Sequence, residues 1–290
     1  MTLTELTTRT LEAPGATLTY DVKPNDATTE PPLFLIGSPM GAAGFTSLAS
    51  HFSDRTIITY DPRGSERSTK DNPATESTPD QHGDDLHRII ADVGGPVDLF
   101  ASSGGAVNAL ALVATHPEDV RTLVAHEPPL ASVLPDGENA KAAVRAMRDT
   151  YQRGGFGAGM AHFMAVTSHR GPYPDDFAQQ PAPDPATFGM PTEDDGTRTD
   201  VMLAQNILTC THYEPDFEAL KAASTRIVVA AGSESAGEMA NRGAYGVAER
   251  LGTDVVVFPS HHGGFLGGEY GWPGEPEAFA AKLREVLEVS

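Results

Sequence analysis

Val97-Asp98-Leu99-Phe100-Ala101-Ser102-Ser103-Gly104-Gly105-Ala106-Val107-Asn108-Ala109-Leu110-Ala111-Leu112-Val113 is the stretch on which the reading of this chain turns. Val97 to Phe100 is a short apolar run suited to a buried strand, and Ala106 to Val113 is a helix former that stops before Pro117. The small residues between them leave room only for a sharp strand-to-helix turn. Such a turn forces the residue at its apex into a strained backbone conformation. It also requires small residues two before and two after the apex, because strand and helix backbones nearly touch there. Ala101 and Gly105 meet that requirement around Ser103; Ser102 does not, since Phe100 stands two before it. The turn aims the free N–H groups of the helix start at the apex, where they favour developing negative charge.

Working outward, the same alternation recurs. Leu33-Phe34-Leu35-Ile36 ends at Gly37-Ser38-Pro39, and Thr56 to Tyr60 ends at Asp61-Pro62-Arg63-Gly64. Arg121 to Ala125 ends at His126-Glu127-Pro128-Pro129. The pattern resumes with Thr225 to Ala230, ending at Gly232, and with Asp254 to Phe258, shortly before His261-His262. Short apolar strands separated by helices predict an α/β fold with a mostly parallel central sheet covered by helices on both faces. Functional residues are then expected just past the carboxyl ends of the strands. A last helix opens at Pro276 and lines Phe279, Leu283, Val286 and Leu287 on one face.

The segment 132–220 breaks the alternation. It holds helical pieces from Asn139 to Tyr151 and from Arg198 to Leu208, and a Pro- and Asp-rich loop from Gly171 to Asp195. A loop that long in a compact domain marks a mobile binding element. The expected organisation is a core of residues 1–131 and 221–290 with a helical cap, 132–220, inserted between two strands; the plainer alternative is a surface decoration.

The chain carries 20 Lys and Arg against 40 Asp and Glu, a net charge of −20. That surface repels phosphate backbones and anionic lipid, which argues against nucleic-acid and membrane partners. A single cysteine, Cys210, rules out an intrachain disulfide. Met1-Thr2-Leu3-Thr4-Glu5 has neither a basic start nor an apolar run, and no stretch approaches the ~18 apolar residues of a membrane span, so a cytoplasmic location is expected. His162 and His169 could share a helix face, but His212 is far along the chain and no metal-ligand spacing emerges.

The elbow around Ser103, with Asp61-Pro62-Arg63-Gly64, His126-Glu127-Pro128-Pro129 and His262-Gly263-Gly264-Phe265, resembles the capped, serine-nucleophile branch of the α/β-hydrolase superfamily. The resemblance covers nearly all of the chain outside the cap. It implies acyl transfer through a serine ester, with a small-molecule substrate and no metal or organic cofactor. Serine needs a base to take its proton. The resemblance places that base at His262, after the last strand, with His261 as the competitor one residue away. The acid is less fixed. The commonest family position reads Gly232-Ser233-Glu234-Ser235, with serine where an Asp is usual, whereas some hydrolases of this fold carry the acid after the preceding core strand, where Glu127 stands. Glu127 is preferred, with Glu234 as the alternative. The oxyanion donors are expected at Gly104 and at Ser38, with Met40 as a substitute, since Pro39 has no N–H. Arg63 is expected to pair locally within its turn.

The expected activity is hydrolysis of a small ester, thioester or lactone. Two other readings stay open from sequence: cofactor-free C–C bond cleavage or another non-hydrolytic step on the same fold, and a catalytically slow small-ligand receptor. A homodimer also stays open.

Overall fold

A computed structural model describes residues 5–288; the opening residues Met1–Thr4, part of the segment read above for targeting, lie outside them. The chain begins with strands β1 (Thr7–Ala13) and β2 (Ala16–Lys23), then β3 (Leu33–Ile36), helix α1 (Thr46–Ser50), β4 (Ile57–Asp61) and the short β5 (Thr69–Lys70). Helix α2 (Pro79–Val93), β6 (Val97–Ser102), α3 (Gly104–Thr115) and β7 (Val120–His126) follow. After α4 (Gly137–Thr167), α5 (Ile207–Thr211) and α6 (Phe217–Ala222), the chain closes with β8 (Arg226–Gly232), α7 (Met239–Leu251), β9 (Val255–Phe258) and α8 (Pro276–Glu288).

The strands form one sheet in the order β1-β2-β4-β3-β6-β7-β8-β9, with β5 pairing beside β2. From β4 to β9 every pairing is parallel; β1, β2 and β5 add an antiparallel edge. The chain leaves β3 for β4 on one side and later lays β6 on the other. The loops after β3 and β6 therefore diverge and open a crevice at the carboxyl edge. This is the mostly parallel α/β architecture that the alternation of strands and helices predicts. The N-terminal hairpin, joined through Pro14-Gly15, is an addition to it.

The apolar runs are continuous because both faces of the sheet are buried. Along β3, Phe34 and Ile36 enter one core, with Leu86 and Ile89 of α2, Leu110 of α3 and Val247 of α7. Leu33 and Leu35 enter the other, with Leu48 of α1 and Phe279, Leu283 and Leu287 of α8. The period-two alternation of a strand is thus present, hidden because both sides are apolar.

Between β7 and β8 the chain adds no strand, and this insertion has a core of its own that includes Val144, Met147, Tyr151, Val166 and Leu203. The first helix is longer than the expected Asn139–Tyr151 piece: α4 runs from Gly137 to Thr167 across a break at Gly155, at φ 76° and ψ −168°. The expected second piece begins at Val201 as a π-helical turn before α5. Phe217 and Leu220 of α6 pack in the first sheet core rather than with the insertion, so the chain rejoins the core before residue 220.

Arg63 does not pair locally. Its Nε and Nη2 donate to the Asp85 carboxylate of α2 at 2.7 and 2.6 Å, a two-pronged contact with the side chains 3% and 0% exposed. It pins the turn after β4 to α2. Removing one partner leaves the other charge buried and unpaired. Arg63→Ala is therefore expected to cost about 3–5 kcal/mol in urea unfolding, while Arg63→Met with Asp85→Leu recovers most of it. A loss below about 1 kcal/mol in the single variant would show that Asp85 is not held by this pair.

Candidate active site

Ser103 stands at the junction of β6 and α3 with φ 58° and ψ −127°, a conformation that L-residues rarely adopt. The strain, of order 1–3 kcal/mol, is held by the surrounding backbone. The Ser103 N–H donates to the His126 carbonyl at 2.9 Å, and the Ser103 carbonyl accepts from Ala106 N–H at 2.9 Å. The small residues that flank the apex are required by contact: a Cβ on Gly105 would lie 2.8 Å from Gly37 Cα. Ser102 faces the interior, buried, its hydroxyl 3.3 Å from His126 Nδ1, whereas Ser103 is half-buried.

One peptide on from that His126 carbonyl is Glu127, fully buried and itself at φ 49°. Its Oε2 pairs with His262 Nδ1 at 2.6 Å. Its Oε1 accepts from Gly232 N–H at 2.9 Å, from the Ser235 hydroxyl, and from Asn241 Nδ2 at 3.2 Å. Burial alone favours the neutral acid. The hydrogen bond and charge of His262, with smaller help from His126 and the Ser235 hydroxyl, reverse that and hold Glu127 well below the usual carboxylate range. Burial likewise works against a charged His262, but the hydrogen bond and charge of Glu127 outweigh it and raise the imidazole above its ordinary 6.5. The pair therefore stabilises the fold most between the ordinary Glu and His values. On acidification the contribution of Glu127 is lost as the pH falls through its depressed folded pKa. On the alkaline side that of His262 fades as the pH rises through its raised folded pKa.

The other candidates fall differently. Glu234 is exposed and bonds only through its backbone, to Ser260 and Arg170, so it does not reach His262. His261 is engaged elsewhere: its Nε2 meets the Pro273 carbonyl at 3.2 Å and its Nδ1 accepts from Gly263 N–H at 3.0 Å. Ser38 abuts the elbow, its carbonyl oxygen 2.6 Å from where a Cβ on Gly104 would sit. Met40 folds its side chain back over Gly37 and Gly44. The Ser103 hydroxyl makes no hydrogen bond among the described residues; such contacts commonly close only around bound substrate. His126, packed among Phe279, Phe100 and Phe258, is pushed down to about 4 by burial and stays neutral.

From the insertion, Cys210 of α5 approaches the elbow, its Sγ 3.4 Å from the Cβ position of Gly104. The three histidines of the insertion do not converge. His162 meets the Thr150 hydroxyl, His169 the Pro172 carbonyl, and His212 both Thr211 and Arg145. Two positions that sequence reasoning did not single out as functional hold the Glu127 carboxylate. Ser235 had a readable sign, since it occupies the usual place of the acid; Asn241, inside α7, had none. No helix among the described residues is long and apolar enough to cross a membrane.

A parallel sheet clad on both faces, with a strained serine between β6 and α3, defines an α/β-hydrolase fold. Known proteins agree. The profile of the alpha/beta hydrolase fold family matches residues 32–208. Over 287 residues the chain is 32% identical to the uncharacterized hydrolase YraK of Bacillus subtilis (strain 168), covering 96% of this chain and 95% of that protein. Among solved structures, MGS-M2, an alpha/beta hydrolase enzyme from a deep-sea metagenome library, superposes with TM-score 0.68 at 15% identity over 97% of this chain and 98% of that one. A thermophilic esterase from Thermogutta terrifontis gives 0.64 at 18% identity, over 98% of each chain. The chain belongs to the alpha/beta hydrolase family.

The Glu127–His262 pair makes a spectroscopic prediction. In an NMR titration His262 should titrate above 6.5, and Glu127→Gln should bring it below the wild-type value, because burial then acts almost unopposed. An unchanged midpoint in Glu127→Gln would mean that the carboxylate does not set the imidazole's proton affinity.

Proposed function

We propose that this member of the family is a serine hydrolase that cleaves a small ester, thioester or lactone through an acyl-enzyme. The observation that carries the reading is the 2.6 Å contact between Glu127 and His262 Nδ1, with Glu127 following directly on His126, whose carbonyl accepts from the N–H of the strained Ser103. With Nδ1–H committed to the carboxylate, the lone pair of Nε2 is free to act as base. Nε2 takes the Ser103 proton as Oγ attacks the carbonyl carbon. The proton then passes to the leaving alcohol, thiol or ring oxygen as its bond to that carbon breaks. Water, deprotonated by the same nitrogen, releases the acid and restores the serine.

The oxyanion of each tetrahedral intermediate is assigned to the N–H groups of Gly104 and Ser38. Gly104 opens α3, where the helix end favours negative charge, and Ser38 lies against it, which supports this assignment. The segment from residue 132 to the start of α6 is assigned as a cap on the strength of its own apolar cluster and the approach of Cys210 to the elbow. Four donors hold the Glu127 carboxylate toward His262, which supports hydrolysis over the non-hydrolytic reading.

The test is hydrolysis of p-nitrophenyl esters of rising acyl length, alongside labelling with a fluorophosphonate. Ser103→Ala should abolish labelling and lower turnover by about 10⁴-fold or more. Glu127→Gln should lower turnover by a comparable factor. Glu234→Gln should leave it unchanged. Labelling that persists in Ser103→Ala, or a loss in Glu234→Gln equal to that in Glu127→Gln, would overturn the assignment.

A further inference from the structure

Away from the elbow, the described residues bring together one more set of side chains with the chemistry to hold a ligand. His87 projects from α2, His116 closes α3, and Asp119 ends the single turn Pro117–Asp119 that leads into β7. One donor atom from each lies within 4.8 Å of the other two. His116 and Asp119 stand three residues apart around that turn, and the tertiary fold brings His87 of α2 to them.

We propose that His87, His116 and Asp119 form a site for a divalent transition metal, with Zn²⁺ the ion its ligands suit best. Two imidazoles and one carboxylate are the donors that zinc and its neighbours in the series take, whereas magnesium and calcium prefer oxygen alone. The three are partly buried, His87 and His116 each 33% exposed and Asp119 12%, so the site is open enough for an ion and a completing water.

The arrangement pairs two of the three donors and leaves the third outside that pair. His87 Nδ1 and Asp119 Oδ2 stand 2.6 Å apart and satisfy one another. The His116 ring does not share in this. It stacks on His87 with centroids 3.8 Å apart and planes 12° from parallel. Glu118 Oε1 is 3.5 Å from His116 Nδ1, wide of a good hydrogen bond. A dication placed among them would replace the His87–Asp119 hydrogen bond with two metal–ligand bonds. It also gives His116 a partner. At metal–ligand distances near 2.0–2.1 Å, tetrahedral donors sit about 3.3 Å apart, so the His87–Asp119 contact opens by about 0.7 Å. Rotation of the two imidazoles, each one-third exposed, out of their stack would supply that movement and turn both rings toward the ion.

The site lies at the amino edge of the sheet, since α3 runs back from the elbow for 12 residues, about 18 Å, before reaching His116. A bound ion would tie α2 to the turn before β7 and stabilise the fold without entering the hydrolytic chemistry.

The test uses the full chain, free of any affinity tag and stripped with EDTA, titrated with ZnCl₂ by calorimetry and followed by thermal unfolding. The expected result is one equivalent of Zn²⁺ bound and a Tm rise of about 2 °C or more, with no response to Mg²⁺. His87→Ala and His116→Ala should each abolish both effects while keeping the metal-free Tm and the ester turnover of the parent; His51→Ala should change nothing. Absence of zinc uptake by the parent chain, or uptake that survives in both variants, would overturn the proposal.

Discussion

A carboxylate buried without contact to water is costly unless every lone pair finds a donor, and Glu127 is the place where this chain meets that demand. Its four donors come from the end of β8 and the loop after it, from α7 and from the loop after β9. One buried charge thus ties the end of β7 to segments 105 to 135 residues further along the chain. Its backbone at φ 49° turns the side chain out of the line of β7 and toward those donors. The same constraint sets His262, since its ring orientation follows from the oxygen left over once Gly232, Ser235 and Asn241 have taken the other.

The sheet supplies the frame for this arrangement. Ser102 pairs with His126, His126 with Ala230, and Gly232 with Phe258, so the carboxyl ends of β6, β7, β8 and β9 stand in register. Loops leaving those ends have only short distances to span before they meet. The aromatic packing of Phe100, Phe258, Phe265 and Phe279 around His126 fixes the floor beneath them. Strain at Ser103 and at Glu127 is tolerated because close-packed neighbours leave neither residue an alternative. The two strained backbones meet at one hydrogen bond, from Ser103 N–H to the carbonyl of His126.

Serine in the place where an Asp is usual is then explained by geometry. With Glu127 delivering the negative charge from β7, a second carboxylate at 235 would face the first across a buried gap and repel it. A hydroxyl at that place donates instead. The insertion is coupled to the same region through Cys210 beside the elbow and through Arg170, which reaches the Glu234 and Ala236 carbonyls and the Glu238 carboxylate. Segments with no strand of their own are thereby held against the carboxyl edge of the sheet.

By itself the sequence determined what depends on near neighbours along the chain. The six parallel strands, the helix from Pro276 and the elbow at Ser103 were legible because their signals lie within a few residues: apolar runs, turn residues, and small side chains around the apex. The hairpin of β1 and β2 went unread because β1 is largely exposed and polar, so it lacks the apolar run that marked the others. Only the tertiary structure set Glu127 and not Glu234 against His262, put Arg63 on Asp85 instead of within its own turn, and brought Asn241 and Ser235 to one oxygen. Each of those contacts spans 6 to 135 residues, and most span more than 20. Which partner a charge finds across such a span depends on how the layers pack, and no local pattern in the chain encodes that.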